Sequence, residues 1–225
     1  MTNTVFVDVD NTLLDFGAGA QESMTRGLAE CGIVCTPEMV ETFHRINDGL
    51  WLEVEKGSMT RSELYAVRFE RIFSALGLPL DAPAFETRFH GFLCSCAVPF
   101  DGAEALLRYL SGKYTVCAAS NAAQEQQHTR LARAGLLPYI REIFTSELLG
   151  AEKPSRAFFD ACFARLPDAK PETTVMIGDS LSADIGGAQD CGLKTVWFNP
   201  HGKTAPEALR PDFTVKTLAE ICTIL

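Results

Sequence analysis

Residues 5–16 read VFVDVDNTLLDF, an apolar run Val5-Phe6-Val7 that meets Asp8, then Val9, then Asp10. Side chains alternate along a strand, so Asp8 and Asp10 would face the same way. Val5, Phe6, Val7 and Val9 together have the pattern of a strand buried on both faces. Two like charges on one side of such a strand repel, and burial raises the cost of ionising either. Two readings resolve the conflict. In one, the strand ends near Asp8 and Asp10-Asn11-Thr12 is a solvated turn or helix cap. In the other, a cation lies between the acids and the strand end is a place of chemistry.

Beyond this strand, near 4–9, residues 17–95 read as helices with no strand among them. Strand and helix then alternate: helix 101–111, strand 114–119, helix 122–134, strand 143–145, helix 154–166, strand 173–178, helix 181–191, strands 194–198 and 213–215, and a closing helix. Alternation of this kind implies an α/β fold, a parallel sheet with helices on both faces. The helical stretch interrupts it after the first strand, so residues 1–15 and 97–225 form the expected core and 16–96 an inserted helical cap.

Ligands bind open α/β sheets at the carboxyl ends of the strands, and four polar signals fall there. Asp8-Val9-Asp10-Asn11-Thr12 is the first. Ser120-Asn121 is the second; Ser120 reads alone as a helix N-cap, but a capped helix N-terminus also suits an anion such as phosphate. Lys153-Pro154 is the third, with Pro154 suited to a first helical turn and Lys153, taken alone, a solvated lysine. Gly178-Asp179-Ser180-Leu181-Ser182-Ala183-Asp184 is the fourth, where Asp179 alone also reads as a cap. Together they have a charge logic. Four carboxylates would meet Lys153 at one edge, and a divalent cation would nearly balance the set. Oxygen-only ligands with room for water favour Mg²⁺ over zinc.

The whole chain narrows the options. Its 225 residues suit one large domain or a core with an insertion, and 47% hydrophobic with 22% charged residues is ordinary for a globular protein. A net charge of −9 without a Lys/Arg-rich block argues against a nucleic-acid polymer as partner. No apolar run approaches membrane-spanning length and no signal-like start is present, so no membrane association is expected and the location reads as cytoplasmic. The eight cysteines are scattered and read as small reduced residues, Cys117, Cys162 and Cys191 in apolar segments among them. His90, Cys94 and Cys96 lack a fourth zinc ligand nearby.

The order Asp-x-Asp-x-Thr, Ser, Lys-Pro, Gly-Asp-x-x-x-x-Asp resembles the haloacid dehalogenase-like (HAD) superfamily over essentially the whole chain. That likeness implies a Rossmann-like core with a helical cap inserted after the first strand. DNTLLDF, GDSLSADIGGAQDCG and VWFNPHGK further resemble the YjjG-type pyrimidine 5′-nucleotidase branch, with Asn11 where that subgroup often has aspartate. The resemblance implies an Mg²⁺-dependent phosphomonoester hydrolase working through an aspartyl-phosphate. Asp8 would be nucleophile and metal ligand. Asp10 would be general acid/base, with its backbone carbonyl on Mg²⁺. Thr12 would support the loop, and Ser120 with the Asn121 amide would hold phosphate. Lys153 would offset charge, Asp179 would ligate the metal, and Asp184 would orient it through water or through Lys153.

The implied partner is a small phosphorylated metabolite, a pyrimidine nucleoside monophosphate first, with a sugar phosphate or N-acylneuraminate 9-phosphate as the alternative. A monomer or small homo-oligomer is expected. Phe16 and Trp51 are the aromatic candidates for stacking on a base, against a plain packing role for each. A dehalogenase would need neither Asp10 nor Asp179. A phosphomutase would need a phosphosugar that returns. A non-catalytic phosphoryl-binding regulator would be expected to lose one of Asp8, Asp10 or Asp179.

Overall fold

The computed structural model describes residues 2–225. The chain divides into two compact units, Met1–Asp15 with Ala97–Leu225, and Phe16–Cys96. In chain order, β1 (Thr4–Val7) is followed by α1 (Phe16–Glu30), α2 (Pro37–Glu55), α3 (Arg61–Leu76) and α4 (Ala82–Ser95). Then come α5 (Ala103–Ser111), β2 (Thr115–Ser120), α6 (Gln124–Arg133), β3 (Glu142–Thr145), α7 (Ser146–Leu149) and α8 (Arg156–Arg165). The chain closes with β4 (Thr174–Gly178), a π-helical turn Leu181–Gly186, α9 (Gly187–Asp190), β5 (Lys194–Phe198), β6 (Phe213–Val215) and α10 (Leu218–Ile224).

Among the described residues, six strands form one sheet in the order β3-β2-β1-β4-β5-β6, every pair parallel. β1 is fully buried, as its unbroken apolar run requires. Its alternate residues feed two separate cores. Val5 and Val7 pack with Leu106, Leu107 and Leu110 of α5 and Ile221 of α10. Phe6 packs on the other face with Phe144, Met176 and Phe158 and Phe159 of α8. Truncating one such phenylalanine to alanine costs about 3–5 kcal/mol. The chain runs from β1 through β2 to β3 on one side, then returns to β4, β5 and β6 on the other. The strand order therefore reverses beside β1, and the crevice left outside the carboxyl ends of β1 and β4 is where such sheets bind ligands.

The segment read as one helix over 181–191 is instead a π-helical turn followed by short α9. Five-residue hydrogen bonding widens the first turn, the Ile185 N–H reaching Ser180 O at 3.1 Å.

The helical unit packs around Phe43, Phe69, Phe73, Phe85 and Phe89. Local signals set its boundaries. Thr36 caps α2, Thr60 and Glu63 form a capping box on α3, and Gly77 ends α3 in the left-handed conformation at φ 63°. Arg68 is buried here, with Nη2 2.5 Å from Glu86 Oε1 and Nη1 3.0 Å from Asn47 Oδ1. His90 and Cys94 meet, Sγ 3.7 Å from Nδ1, while Cys96 turns to Glu22. Among the described residues no helix is long and apolar enough to cross a membrane.

Candidate active site at the carboxyl edge of the sheet

β1 ends at Val7, but the Asp8 N–H still donates to Ile177 O at 2.8 Å. The ladder therefore fixes the Asp8 backbone at the sheet edge. The chain then folds tightly: the Val9 carbonyl accepts from the N–H groups of Leu13 and Leu14, at 2.9 and 2.8 Å. Asn11 takes up the reversal with φ 61°, a left-handed position that asparagine tolerates better than most residues. Thr12 is fully buried and its Oγ1 makes no hydrogen bond, so packing holds it in the loop.

Lys153 is the hub of the site. Its Nζ donates to Asp8 Oδ1 at 2.7 Å, to Asp184 Oδ1 at 2.6 Å and to Ala119 O at 2.7 Å. These three acceptors use all three ammonium donors. Asn121 sets the lysine's backbone: its side chain donates to Lys153 O and accepts from Lys153 N, both at 2.8 Å. The lysine is 2% exposed, so the solvated reading of it is not what the fold shows.

The Gly178–Asp184 segment explains its own glycine. A Cβ on Gly178 would fall 2.2 Å from Asp184 Oδ2, so the strand end must be bare for that carboxylate to fold back against it. Asp184 Oδ2 accepts from Ser180 N at 3.0 Å, closing the turn. Gly187 is needed for a second close approach, since a Cβ there would lie 2.7 Å from Pro154 Cα. It seats the start of α9 directly on the Lys153-Pro154 corner. Asp179 is held from β5, where the buried Trp197 donates its indole N–H to Asp179 O at 2.9 Å.

Asp8, Asp179 and Asp184 offer ligand oxygens that lie within 4.8 Å of one another. Burial first, and then Asp184, push the Asp8 carboxyl up to about 7, against the pull of Lys153. Burial, Asp8 and Asp184 likewise push Asp179 well above the ordinary carboxylate range, with Lys203 pulling the other way. Burial works against the charge on Lys153, but Asp184 and Asp8 outweigh it and hold the ammonium above its ordinary value. Three ionised carboxylates and one lysine leave a buried negative excess. An all-oxygen donor set with that excess fits a hard divalent cation such as Mg²⁺.

Asp10 departs from the four-carboxylate gathering expected from sequence. Its carboxylate is outside the cluster and turns to α6, where Arg130 Nη1 pairs with Oδ1 and Gln127 Nε2 donates to Oδ2 at 2.5 Å. A second cation at this edge removes the need for all four acids to share one ion. Ser120 is not a helix N-cap either: it is the last residue of β2, and the N-cap of α6 is Ala123. Its buried Oγ accepts from Ala122 N at 3.1 Å and from Gln127 Nε2 at 2.8 Å. Both hydroxyl lone pairs are thus taken, which leaves the Ser120 proton to donate, as an anion requires.

Gln127, Arg130 and Trp197 were not singled out for the site by their sequence. The available signal was the polarity of α6, QEQQHTRLAR, whose buried residues are Gln126, Gln127, Arg130 and Leu131. Phe16 and Trp51 are both in the helical unit, partly exposed. Phe16 stacks on Phe43 at 6.4 Å and Trp51 meets Tyr65 edge-on at 6.4 Å.

The haloacid dehalogenase-like hydrolase family matches residues 2–192. The chain belongs to this family. It is 35% identical to the HAD-hydrolase YfnB of Bacillus subtilis over 99% of this chain and 94% of that one. It is 33% identical to the pyrimidine 5′-nucleotidase PynA of Streptococcus pneumoniae, covering 95% of this chain and 91% of the relative. The pyrimidine 5′-nucleotidase YjjG of Escherichia coli is 28% identical, over 96% and 95% of the two chains. The crystal structure of magnesium-bound YfnB superposes with a TM-score of 0.94 at 34% identity, covering 100% of this chain and 98% of that one. This chain is therefore a hydrolase with the HAD fold.

Proposed function

We propose that this hydrolase removes phosphate from pyrimidine nucleoside 5′-monophosphates, with Mg²⁺ held by Asp8, Asp179 and the Asp10 backbone carbonyl and oriented by Asp184 through water or through Lys153. The observation that carries the reading is the convergence of Asp8, Asp179 and Asp184 with Lys153 at one buried edge. The substrate class rests on the likeness to PynA and YjjG. Bound Mg²⁺ would offset charge on a phosphate monoester, which otherwise repels an anionic nucleophile.

The chain's own residues supply the rest. Lys153 engages Asp8 Oδ1, leaving Oδ2 to attack phosphorus in line. Ser120 directs its proton at a phosphate oxygen, and the Asn121 backbone amide is the second donor. The P–O bond to the nucleoside breaks as Asp10 gives its proton to the departing oxygen. Water then attacks the aspartyl-phosphate, Asp10 takes the water's proton, and Asp8 is released with inorganic phosphate. Residues 16–96 would act as the cap that excludes water and selects the leaving group.

Phosphate release tests this on a panel of dUMP, dTMP, UMP, sugar phosphates, N-acylneuraminate 9-phosphate and p-nitrophenyl phosphate, with Mg²⁺ and with EDTA. The expected result is turnover with Mg²⁺ only, highest on the pyrimidine nucleotides. Sugar phosphates outrunning every nucleotide would overturn the substrate class. Binding of these esters without release of phosphate would overturn the enzymatic reading in favour of a phosphoryl-binding regulator.

A further inference from the structure

The face of α6 that meets the sheet carries a charge and an amide where an amphipathic helix would place leucines. Arg130 and Gln127 are both fully buried, at 0% exposure, one helical turn apart. Burying a guanidinium is unfavourable before any partner is counted. Its partner Asp10 keeps 24% of its side chain exposed, so the acid could have been left to water. Balancing the charge of Asp10 therefore does not by itself account for the burial of Arg130; fixing the carboxylate in place does. Arg130 takes Oδ1 and Gln127 takes Oδ2, which sets both the position and the plane of the carboxylate. The same Gln127 Nε2 reaches Ser120 Oγ, and Arg130 Nη1 lies 3.5 Å from Gln127 Oε1. One buried pair thus ties the acid to the hydroxyl.

We infer that Gln127 and Arg130 are positioning residues for the two half-reactions: together they aim the Asp10 carboxylate, and Gln127 also turns the Ser120 proton toward the phosphate. The inference rests on the hydrolysis proposed at Asp8. Proton transfer depends on placement within hydrogen-bond reach, and small misplacements are costly. The two steps lean on Asp10 differently. A nucleoside alkoxide needs its proton to leave, whereas p-nitrophenolate departs without one. Hydrolysis of the aspartyl-phosphate needs the base with either substrate.

The test compares kcat/KM for dUMP and p-nitrophenyl phosphate in Arg130→Met, Arg130→Lys, Gln127→Met and Asp10→Asn, with circular dichroism on each. Arg130→Met is expected to lose at least tenfold more on dUMP than on p-nitrophenyl phosphate. On the latter it should show a pre-steady-state burst near one p-nitrophenol per site, because the second step is left slow. Arg130→Lys should recover part of the dUMP loss. Gln127→Met should share the leaving-group selectivity and also raise the inhibition constant of inorganic phosphate several-fold, which Arg130→Met should not. Equal losses on both substrates with no burst would mean that the pair only supports the fold, and would overturn the inference. If Arg130→Met does not fold, Gln127→Met and Arg130→Lys carry the same comparison. If Asp10→Asn itself shows no selectivity, the acid/base reading has failed and the inference falls with it. If Asp10→Asn is selective and the α6 variants are not, the inference alone fails.

Discussion

In the helical unit, buried Arg68 meets Glu86 through two guanidinium nitrogens, meets Asn47 through a third, and lies 4.9 Å from the centre of the Phe89 ring. At the sheet edge, buried Lys153 meets Asp8 and Asp184, with Asp179 beside them. The first arrangement balances one charge with one charge. The second leaves a negative excess, and burial then raises the proton affinity of Asp8 and Asp179. A balanced buried pair holds helices in register. An unbalanced one is unfavourable for stability and marks a place built to receive a cation.

The two regions should therefore respond in opposite senses when a carboxylate is neutralised. Asp8→Asn is expected to lower turnover by more than about a hundredfold, because an amide of the same shape cannot attack phosphorus. Its metal-free stability at pH 8 should equal or exceed that of the parent, since one of three crowded charges is gone and Lys153 keeps Asp184 and Ala119. Phosphate release and a urea titration check both halves, and a large loss of stability would break the comparison. Glu86→Gln should do the reverse. It leaves Arg68 buried beside a neutral amide and should cost about 3–5 kcal/mol in the same titration. An effect below about 1 kcal/mol would mean that the Arg68 pair is no more than a surface-like ion pair.

Within the unbalanced cluster, the carboxylates are not equivalent. Both Asp184 oxygens are engaged, Oδ1 by Lys153 and Oδ2 by the Ser180 N–H, while Asp179 is held through its backbone carbonyl by Trp197. On the proposed metal site, this leaves the Asp179 carboxylate to be the direct ligand. Removing an outer-sphere partner typically costs 10–100-fold in metal affinity. Asp184→Ala is expected in that range, and Asp179→Ala beyond it. Mg²⁺ titrations by calorimetry decide the order, and equal losses would put both acids in the same role.

How much of this was readable in the sequence follows from how local each feature is. β1, β2 and β4 announced themselves as apolar runs, and the helical stretch between the first two as a long interruption. Asp8 and Asp179 directly follow strand ends, and Lys153 and Asp184 lie in the segments that follow β3 and β4, so alternation plus the sheet-edge rule brought them together. Gln127 and Arg130 are different. Polar residues three apart on a helix ordinarily mark its wet side, and only the tertiary fold turns that side inward. Trp197 looked like one more apolar strand residue, because the partner of its N–H comes from a neighbouring strand end. The glycine at 187 is likewise explained by atoms distant in sequence, the Pro154 backbone, whereas the one at 178 answers to the Asp184 carboxylate only six residues on. The expected meeting of four acids failed because a second cation, Arg130, was hidden in that helix.

The smallest expected effect is thermal, and it follows from the excess charge alone. Asp8 is pushed up to about 7 from an ordinary value of 3.8, and Asp179 is also raised, burial being the first cause for both. Between roughly pH 4 and pH 7 the folded protein therefore holds protons that the unfolded chain has released. Stability falls with rising pH wherever the folded state binds more protons, so the metal-free protein should weaken across that window. Mg²⁺ requires the ionised carboxylates and must displace those protons to bind. Its stabilisation should accordingly be small at pH 5 and full at pH 8. At a hundredfold excess over Kd, a ligand contributes about 2.7 kcal/mol. For a chain of this size that amounts to a rise of about 5–10 °C in Tm at pH 8. Differential scanning fluorimetry at the two pH values, with and without Mg²⁺, measures it. In Glu86→Gln, which leaves the cluster untouched, the same pH-dependent gain should persist on a lower baseline. A gain of equal size at pH 5 and pH 8 would show that these carboxylates are already ionised without the cation, and the contrast between the balanced and the unbalanced region would lose its electrostatic basis.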